Sequence, residues 1–595
     1  MSIEPVLIQY KARLQELQAT WAQIRMQHAA AGTVLLIAVA LILMLGFGAV
    51  RQRIPLWWPS LPLPIAAASA RRYRRYGVAR SRIWRLMRFY NRAIQRVNGI
   101  WSGQGYGGDE FGDPDHLYAR DLGIFGEGSL FELLCVARTA IGRRSLANYL
   151  LKAPAVDEIL ARQEAVRELE QRTDIREEVQ LLGKFEFSES KWETFVEWLN
   201  LPPVLFPGSV RVAAAITSTA VAGIVLAGLF GMLPWIRAVM WLSPLFVFQA
   251  VVGLIWRSRV NRIVSSASSV SIETRVLREG LELLEGQRFH STKLRRIAER
   301  IHHSSKSVRR LERLFALLDQ RDKEWFNFAF LLLLGKTQLC MAIEHWRIQH
   351  GAALRDWLDA WGEFEAINAL ANYARENSNN TFPEFSDGAA RLEAVAIGHP
   401  LLPDNICVRN DVALNQATRF YIISGSNMSG KSTLLRAIGL NAVLAFAGAP
   451  VRAQTLRLSP MTVCASLSVV DSLLNGKSKF LAEVDRLRQT IRSAENHQPV
   501  LFLIDEIFSG TNSRDRRLAA EAVVRTLVNA GAGGALSTHD MSLTEIADSE
   551  GLCGANVHMG ARDGSDPLNF DYLLQPGITK ETNALAIARM AGVPV

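Results

Sequence analysis

Lys431 and Ser432 stand behind glycines at 425 and 430 in the stretch IISGSNMSGKSTLL, which runs from Ile422 to Leu435. Glycines so placed let backbone N–H groups curl around phosphate, and a helix opening at the second glycine adds its dipole. In this arrangement Lys431 reaches the β- and γ-phosphates and the Ser432 hydroxyl ligates Mg²⁺. The candidate nucleotide cradle is therefore Gly425, Ser426, Asn427, Met428, Ser429, Gly430, Lys431, Ser432 and Thr433. Downstream, the apolar run Val500–Ile504 ends in Asp505 and Glu506. An aspartate at a strand end can hold Mg²⁺ through water, and the adjacent glutamate can orient or deprotonate the attacking water. A surface acid pair that only caps a strand is the competing explanation, and the glycine loop upstream weighs against it. His539 ends a third apolar run, GALSTHD, where it is placed to sense the γ-phosphate. The implied cofactors are ATP and Mg²⁺, with Lys431, Glu506 and His539 catalytic and Ser432 and Asp505 at the metal.

Such a loop needs a strand before it and a helix after it. From about Arg391 the sequence supplies that texture, with short apolar strands, helices and glycine turns alternating as in an α/β nucleotide-binding domain. Upstream, 109–200 is mostly helical by periodicity, broken at Pro154, and 265–377 is a long charged helical region suited to a paired helix or lever. His302 and His303 lie in that charged surface without acid or thiol partners at ligand spacing, so they read as solvated. The five cysteines form no CxxC pair, which favours reduced thiols over a disulfide or zinc framework.

The net charge of +10 is local in origin. Residues 1–108 hold 15 basic residues and two acids, a balance of +13, and the remainder balances at −3. Ten arginines and no acid fall between Ala70 and Arg96. That block suits nucleic acid or the anionic headgroups beside a membrane, and its neighbours favour the membrane. Ala29–Val50 is 22 uncharged residues, about 33 Å of helix at ~1.5 Å per residue. Val212–Ile236 and Ala238–Trp256 read as a tight hairpin around Pro234 and Arg237, with basic RSRVNR following on the cytosolic side. A buried core helix is the bland alternative for each. The stretch 55–70 is uncharged but short and carries four prolines, so it spans poorly. If it crosses, there are four spans and a cytosolic N-terminus, the favoured count; otherwise there are three. The run at 325–335 is too short to span and reads as core.

Several of these residues resemble the MutS family of ABC-type ATPases. GSNMSGKST is similar to that family's P-loop, where Asn-Met before the second glycine is distinctive; DEIFSGTNSRD is similar to its Walker B and D-loop, and STHD to its His switch. GKSKFLAEV, 476–484, resembles the signature segment, which implies that Ser478 contacts the γ-phosphate held by the opposite subunit of a homodimer. GHPLL at Gly398, the C-terminal run ending MAGVP, TAIGRRSLANYLLKAPAVDEILARQEAV and EFEAINALANYA resemble flanking and core segments, so the likeness covers about 120–200 and 260–595. There are departures. Ser426 and Ser429 stand for a usual proline and glycine, Lys479 for a threonine, and NICVRNDVAL offers no clear aromatic for the adenine. The mismatch-reading front is replaced by apolar segments, and Phe125-Gly126-Glu127 matches its Phe-x-Glu motif by chance. No dimerisation extension or Smr-type nuclease segment is expected after MAGVPV, and the likeness is nearest to a membrane-anchored branch.

The expected fold class is multidomain: apolar helical segments in 1–108, an all-α core and lever in 109–390 interrupted by the hairpin 212–256, and an α/β ATPase domain in 391–595. The expectation for function is an ATP-hydrolysing, membrane-anchored protein, multi-pass in the inner membrane with its ATPase in the cytoplasm. ATP would drive a DNA clamp of mismatch-repair type through lever movement. The alternative is a membrane remodelling or scaffold ATPase that binds lipid but no DNA. A transporter is disfavoured, since no apolar segment carries a central ionisable residue.

Overall fold

The computed structural model describes residues 4–182, 197–203, 205–319, 333–426, 428–467, 479–495, 499–509, 512–561 and 570–579, with the side chains of 262, 265–273, 479, 513 and 561 outside the description. Helix α1 (Glu4–Val50) is continuous for 47 residues and carries the 29–50 stretch in its second half. A 3-10 turn at Trp58–Ser60 leads into α2 (Leu63–Val97). The stretch 55–70 is thus divided between a turn and the start of α2. Proline placement explains the break: Pro62 is the N-cap of α2 and Pro64 lies in its first turn, where a missing N–H costs no helical bond.

Short helices α3 (Leu130–Leu134), α4 (Ala140–Leu151), α5 (Val156–Gln171) and α6 (Thr173–Leu181) follow, with Pro154 in the gap between α4 and α5. Phe125 packs against Phe111 and Phe131, at ring separations of 6.1 and 5.4 Å, rather than projecting as a wedge. Helices α7 (Gly208–Leu229) and α8 (Trp235–Glu285) meet at a turn over 230–234, with Pro234 as the N-cap of α8. The α8 helix runs on through the basic RSRVNR for 51 residues in all. Among the described residues, Pro5–Val50, Gly208–Leu229 and Trp235–Asn261 are long and apolar enough to cross a membrane. Helices α9 (Thr292–Arg300), α10 (Ser304–Asp319) and α11 (Gly335–Glu376) complete the helical region. Residues 325–332 lie outside the described residues.

Strands β1 (Glu384–Phe385), β2 (Leu392–Ile397), β3 (Asn410–Leu414), β4 (Phe420–Ser424) and β5 (Thr455–Leu458) precede β6 (Thr462–Ser466), β7 (Val500–Asp505), β8 (Gly533–Thr538), β9 (Gly554–Ala561) and β10 (Phe570–Pro576). They form a small sheet ordered β1-β5-β2-β3 and a larger one ordered β10-β9-β4-β8-β7-β6. In the larger sheet β9, β4, β8, β7 and β6 are parallel and β10 is antiparallel. Parallel strands need crossovers. Three helices supply them: α12 (Lys431–Ala447), α13 (Lys479–Glu495) and α14 (Ser513–Asn529). Phe502, Val524, Leu527 and Leu536 belong to the core on one side of this sheet.

The described chain forms two compact units, 1–135 with 149–181 and 370–595, and 136–148 with 182–369. This division differs from a boundary at 390/391, because 109–135 and 149–181 pack onto the α/β domain. The Asp121 carboxylate accepts the Leu467 N–H at 2.8 Å, the Gln163 amide donates to the Pro383 carbonyl at 3.0 Å, and a Cβ on Gly439 would meet the Leu122 side chain at 2.7 Å. The α/β domain therefore folds against chain that precedes it by hundreds of residues.

The second unit is helical, built around fully buried Trp346, Trp361 and Phe364. Several of its charged residues pair with one another: Arg278 bonds Glu282 and Glu312, Arg300 bonds Asp356 and Glu363, and Lys293 lies 2.5 Å from Glu363. Glu365 is buried on α11 and accepts the Arg138 N–H at 2.8 Å and the Thr139 hydroxyl, at the N-terminus of α4. Burial pushes its carboxyl up to about 7, against those hydrogen bonds. The folded pKa lies above the unfolded value of 4.5, so this group's stabilising effect is complete below pH 4.5 and lost as pH rises through 7. Glu365→Gln is accordingly expected to gain about 3 kcal/mol relative to the parent between pH 4.5 and pH 8. Urea unfolding of both proteins across that range reads the difference; a constant difference would mean the carboxyl is ionised throughout.

Candidate nucleotide site

Strand β4 is buried at every position and lies between β9 and β8. The chain leaves it at Gly425 with φ +155°, where a Cβ would strike the Met559 carbonyl oxygen at 2.5 Å. Gly430, at φ +98°, is the N-cap of α12, so the loop between the two glycines delivers the chain straight to a helix N-terminus. Lys431 opens that helix, buried, with Nζ donating to the carbonyls of Gly425 at 2.9 Å and Ser426 at 2.7 Å. Burial pulls its ammonium below the ordinary lysine range, opposed by the charges of Asp505 and Glu506.

Register brings the remaining groups to the same sheet edge. Ser424 pairs with Thr538 and Asp505 with Ser537, so β4, β7 and β8 end together. The Ser432 hydroxyl donates to Asp505 Oδ2 at 2.5 Å, and the Ser537 hydroxyl donates to Oδ1 of the same carboxylate. Glu506, at φ +51°, donates its N–H to the Ser537 carbonyl at 3.1 Å and holds its Oε1 3.3 Å from His539 Nδ1. Glu506 and His539 both remain partly open to solvent. Thus Lys431, Ser432, Asp505, Glu506 and His539, drawn from three strand ends, form one cluster. Met428 and Thr433 are exposed at its rim. Asn427 and Ser478 lie outside the described residues.

The donor set fits a nucleotide phosphate with Mg²⁺. The Ser429 hydroxyl is buried with no hydrogen-bond partner among the described residues, next to Gly430 at the N-terminus of α12, the helix end that attracts anions. A hydroxyl–carboxylate pair such as Ser432–Asp505 is oxygen-only, the donor type a hard divalent cation takes.

Residues 421–595 match the family model described as MutS domain V. Over this segment the chain is similar to the MutS family. Endonuclease MutS2 of Thermus thermophilus is 34% identical over 239 residues, 40% of this chain and 30% of that protein. The DNA mismatch repair protein MutS of Lactobacillus delbrueckii subsp. bulgaricus is 30% identical over 250 residues, 41% of this chain and 29% of that one. That of Staphylococcus saprophyticus is 31% identical over 255 residues, 42% and 28%. The chain spans less than a third of the length of these relatives.

The MutS-type ATPase domain has further supports that spacing did not reveal. Phe508, at φ +53°, donates its N–H to the buried Glu483 carboxylate at 2.5 Å. Arg516 donates to the carbonyls of Phe508 and Ser509, each at 3.0 Å, and pairs with Asp540. These bonds hold the turn after Glu506, where two non-glycine residues occupy the left-handed region at a cost of order 1–3 kcal/mol each. An acid on the inner face of the apolar run KFLAEV was the available signal for Glu483. Tyr572 lies against Gly430, its ring 3.0 Å from where a Cβ would stand, and nothing in its local pattern marks it as part of the site. His399 is half-buried, and desolvation, helped by the charges of Arg436 and Arg452, lowers its pKa to about 4 and keeps it neutral at pH 7.

Proposed function

We propose that this chain is a membrane-anchored, ATP-hydrolysing MutS-related protein that works as a homodimer. Its ATP cycle would move the helical region of a DNA-binding clamp. The carrying observation is the cluster of Ser432, Asp505, Glu506 and His539 beside the phosphate loop. Bound ATP–Mg²⁺ supplies the phosphoanhydride and the cation that neutralises it. Lys431 and the loop N–H groups would hold the phosphates, Ser432 directly and Asp505 through water would hold the metal, and Glu506 would orient or deprotonate the attacking water. His539, whose Nδ1 lies 3.3 Å from the Glu506 carboxylate, would feel the γ-phosphate. By analogy with the family's signature segment, Ser478 of one protomer would contact the γ-phosphate held by its partner. Three apolar helices support the membrane anchor by length and composition.

A second reading, an ATPase acting on the membrane without DNA, is favoured by one observation. A clamp needs basic residues on the helical region to meet DNA phosphates, yet Lys293 pairs with Glu363 and Arg309 with Glu282, while Arg295, Arg296 and Arg310 are exposed. Filter binding of the detergent-purified full chain to homoduplex, mismatched and branched DNA separates the two. The clamp predicts affinity that falls on the order of 10³-fold or more between 50 and 200 mM salt, as several phosphate contacts require. No binding at low salt excludes it.

A further inference from the structure

We infer that the N-terminal apolar segment crosses the bilayer as a two-armed hairpin, with the broken stretch 54–70 as its returning arm and both stems on the ATPase side. The inference rests on the membrane reading above. A hydropathy count finds one N-terminal span, because prolines interrupt the second arm; the packing finds two.

The pairing fixes the geometry. A methyl on Gly48 would lie 3.2 Å from the Ile54 side chain, and one on Gly32 would lie 3.1 Å from the Tyr73 ring. The His28 and Tyr73 rings stack at 4.0 Å, and Gly77 faces His28 one turn further on. Between Gly48 and Gly32 α1 climbs about 24 Å at ~1.5 Å per residue. The chain from Ile54 to Tyr73 descends the same distance alongside it, so it crosses whatever thickness α1 crosses. Ala38 on α1 and Ser69 on α2 are buried, small residues that let paired helices approach closely. Leu36, Leu43, Val50, Leu56 and Leu61 face outward and exposed. Both ends carry interface chemistry. At the tip, Arg51 stacks on Phe47 and Trp57 lies beside Trp58. At the base, Arg71, Arg72, Arg74 and Arg75 flank Tyr73 at the level of His28, suited to anionic phospholipid headgroups.

Below the arginines the arms continue as a soluble stem. Val6, Tyr10 and Leu17 of α1 pack with Leu86, Phe89 and Tyr90 of α2. One carboxylate on α6, Glu177, accepts from both arms, from Arg13 at 3.0 and 3.1 Å and from the Tyr90 hydroxyl at 2.7 Å. The stem thus belongs to the unit that holds the ATPase domain, and a bilayer cannot pass between its two halves.

The test labels the full chain with an impermeant maleimide in sealed inverted membrane vesicles and in spheroplasts. Cys553, an exposed thiol of the ATPase domain, reports the ATPase side. Lys11→Cys in the stem and Ser60→Cys at the tip are each examined in a Cys553→Asn background, whose residual labelling sets the zero. Lys11→Cys is expected to label from the Cys553 face, and Ser60→Cys only from the opposite face. Labelling of Lys11→Cys from the face opposite Cys553 overturns the hairpin while leaving a membrane protein. Ser60→Cys protected from both faces, or open on the Cys553 face, overturns the crossing. A parent chain released from membranes by alkaline carbonate refutes the membrane reading itself, and the hairpin with it.

Discussion

Lys431→Ala and Glu506→Gln each lower ATP turnover by on the order of 10²-fold or more, and for different reasons. The lysine is the buried cation of the loop, and its ammonium already spends hydrogen bonds on the carbonyls of Gly425 and Ser426. Alanine removes the charge that meets the phosphates and leaves those carbonyls unpaired, so nucleotide affinity and turnover fall together. Glutamine at 506 keeps the shape of the carboxylate beside His539, whose Nδ1 lies 3.3 Å from Oε1 in the parent. It cannot take a proton from water, so turnover falls while nucleotide affinity stays within about threefold of the parent. Steady-state phosphate release and titration with a fluorescent ATP analogue distinguish the two patterns. Parental turnover in either variant would remove that residue from the site.

Glu376→Ala costs about 3–5 kcal/mol, the largest stability effect expected from a single side chain outside the sheet core. Glu376 closes α11, and its two carboxylate oxygens accept from Arg96 Nε and Nη2 of α2, each at 2.6 Å. Both side chains are nearly removed from solvent, at 11% and 2% exposure. Alanine strands a buried guanidinium with no counter-charge. Beside this pair Arg375 donates to Gln9 of α1 at 2.6 Å, so the same junction fastens both arms of the N-terminal pair. The double variant Arg96→Met/Glu376→Leu should recover most of the loss, because a matched apolar pair has no desolvated charge. Urea unfolding of the purified chain measures both. A single variant within about 1 kcal/mol of the parent would show that the guanidinium finds solvent or another acid.

The nucleotide site was the most legible part of the sequence, because its chemistry is local. Gly425, Gly430, Lys431 and Ser432 lie within one loop, and Asp505-Glu506 announce themselves at the end of an apolar strand. Strand register then does the assembly, and register follows from the same apolar runs. Contacts between distant segments were not legible. Arg13 finds Glu177 across 164 residues and Arg96 finds Glu376 across 280, separations at which no periodicity speaks. The pairing within the charged helical region was hidden for a related reason: the acids that meet Lys293 and Arg309, Glu363 and Glu282, are far from them in sequence. At 55–70 the prolines hid a helix start, since Pro62 and Pro64 fall where helices tolerate them.

Helix α8 has a mechanical consequence. Its 51 residues make a rod about 75 Å long, apolar at one end and charged at the other, with Pro244 as the one internal break in its hydrogen-bond ladder. A rod without a joint near its middle converts angle into displacement. A tilt of about 5° at the charged end sweeps the apolar end through roughly 7 Å, more than one helical turn. Whatever rocks the charged half stirs the surroundings of the apolar half by an amount set by length alone, with no second hinge to absorb it.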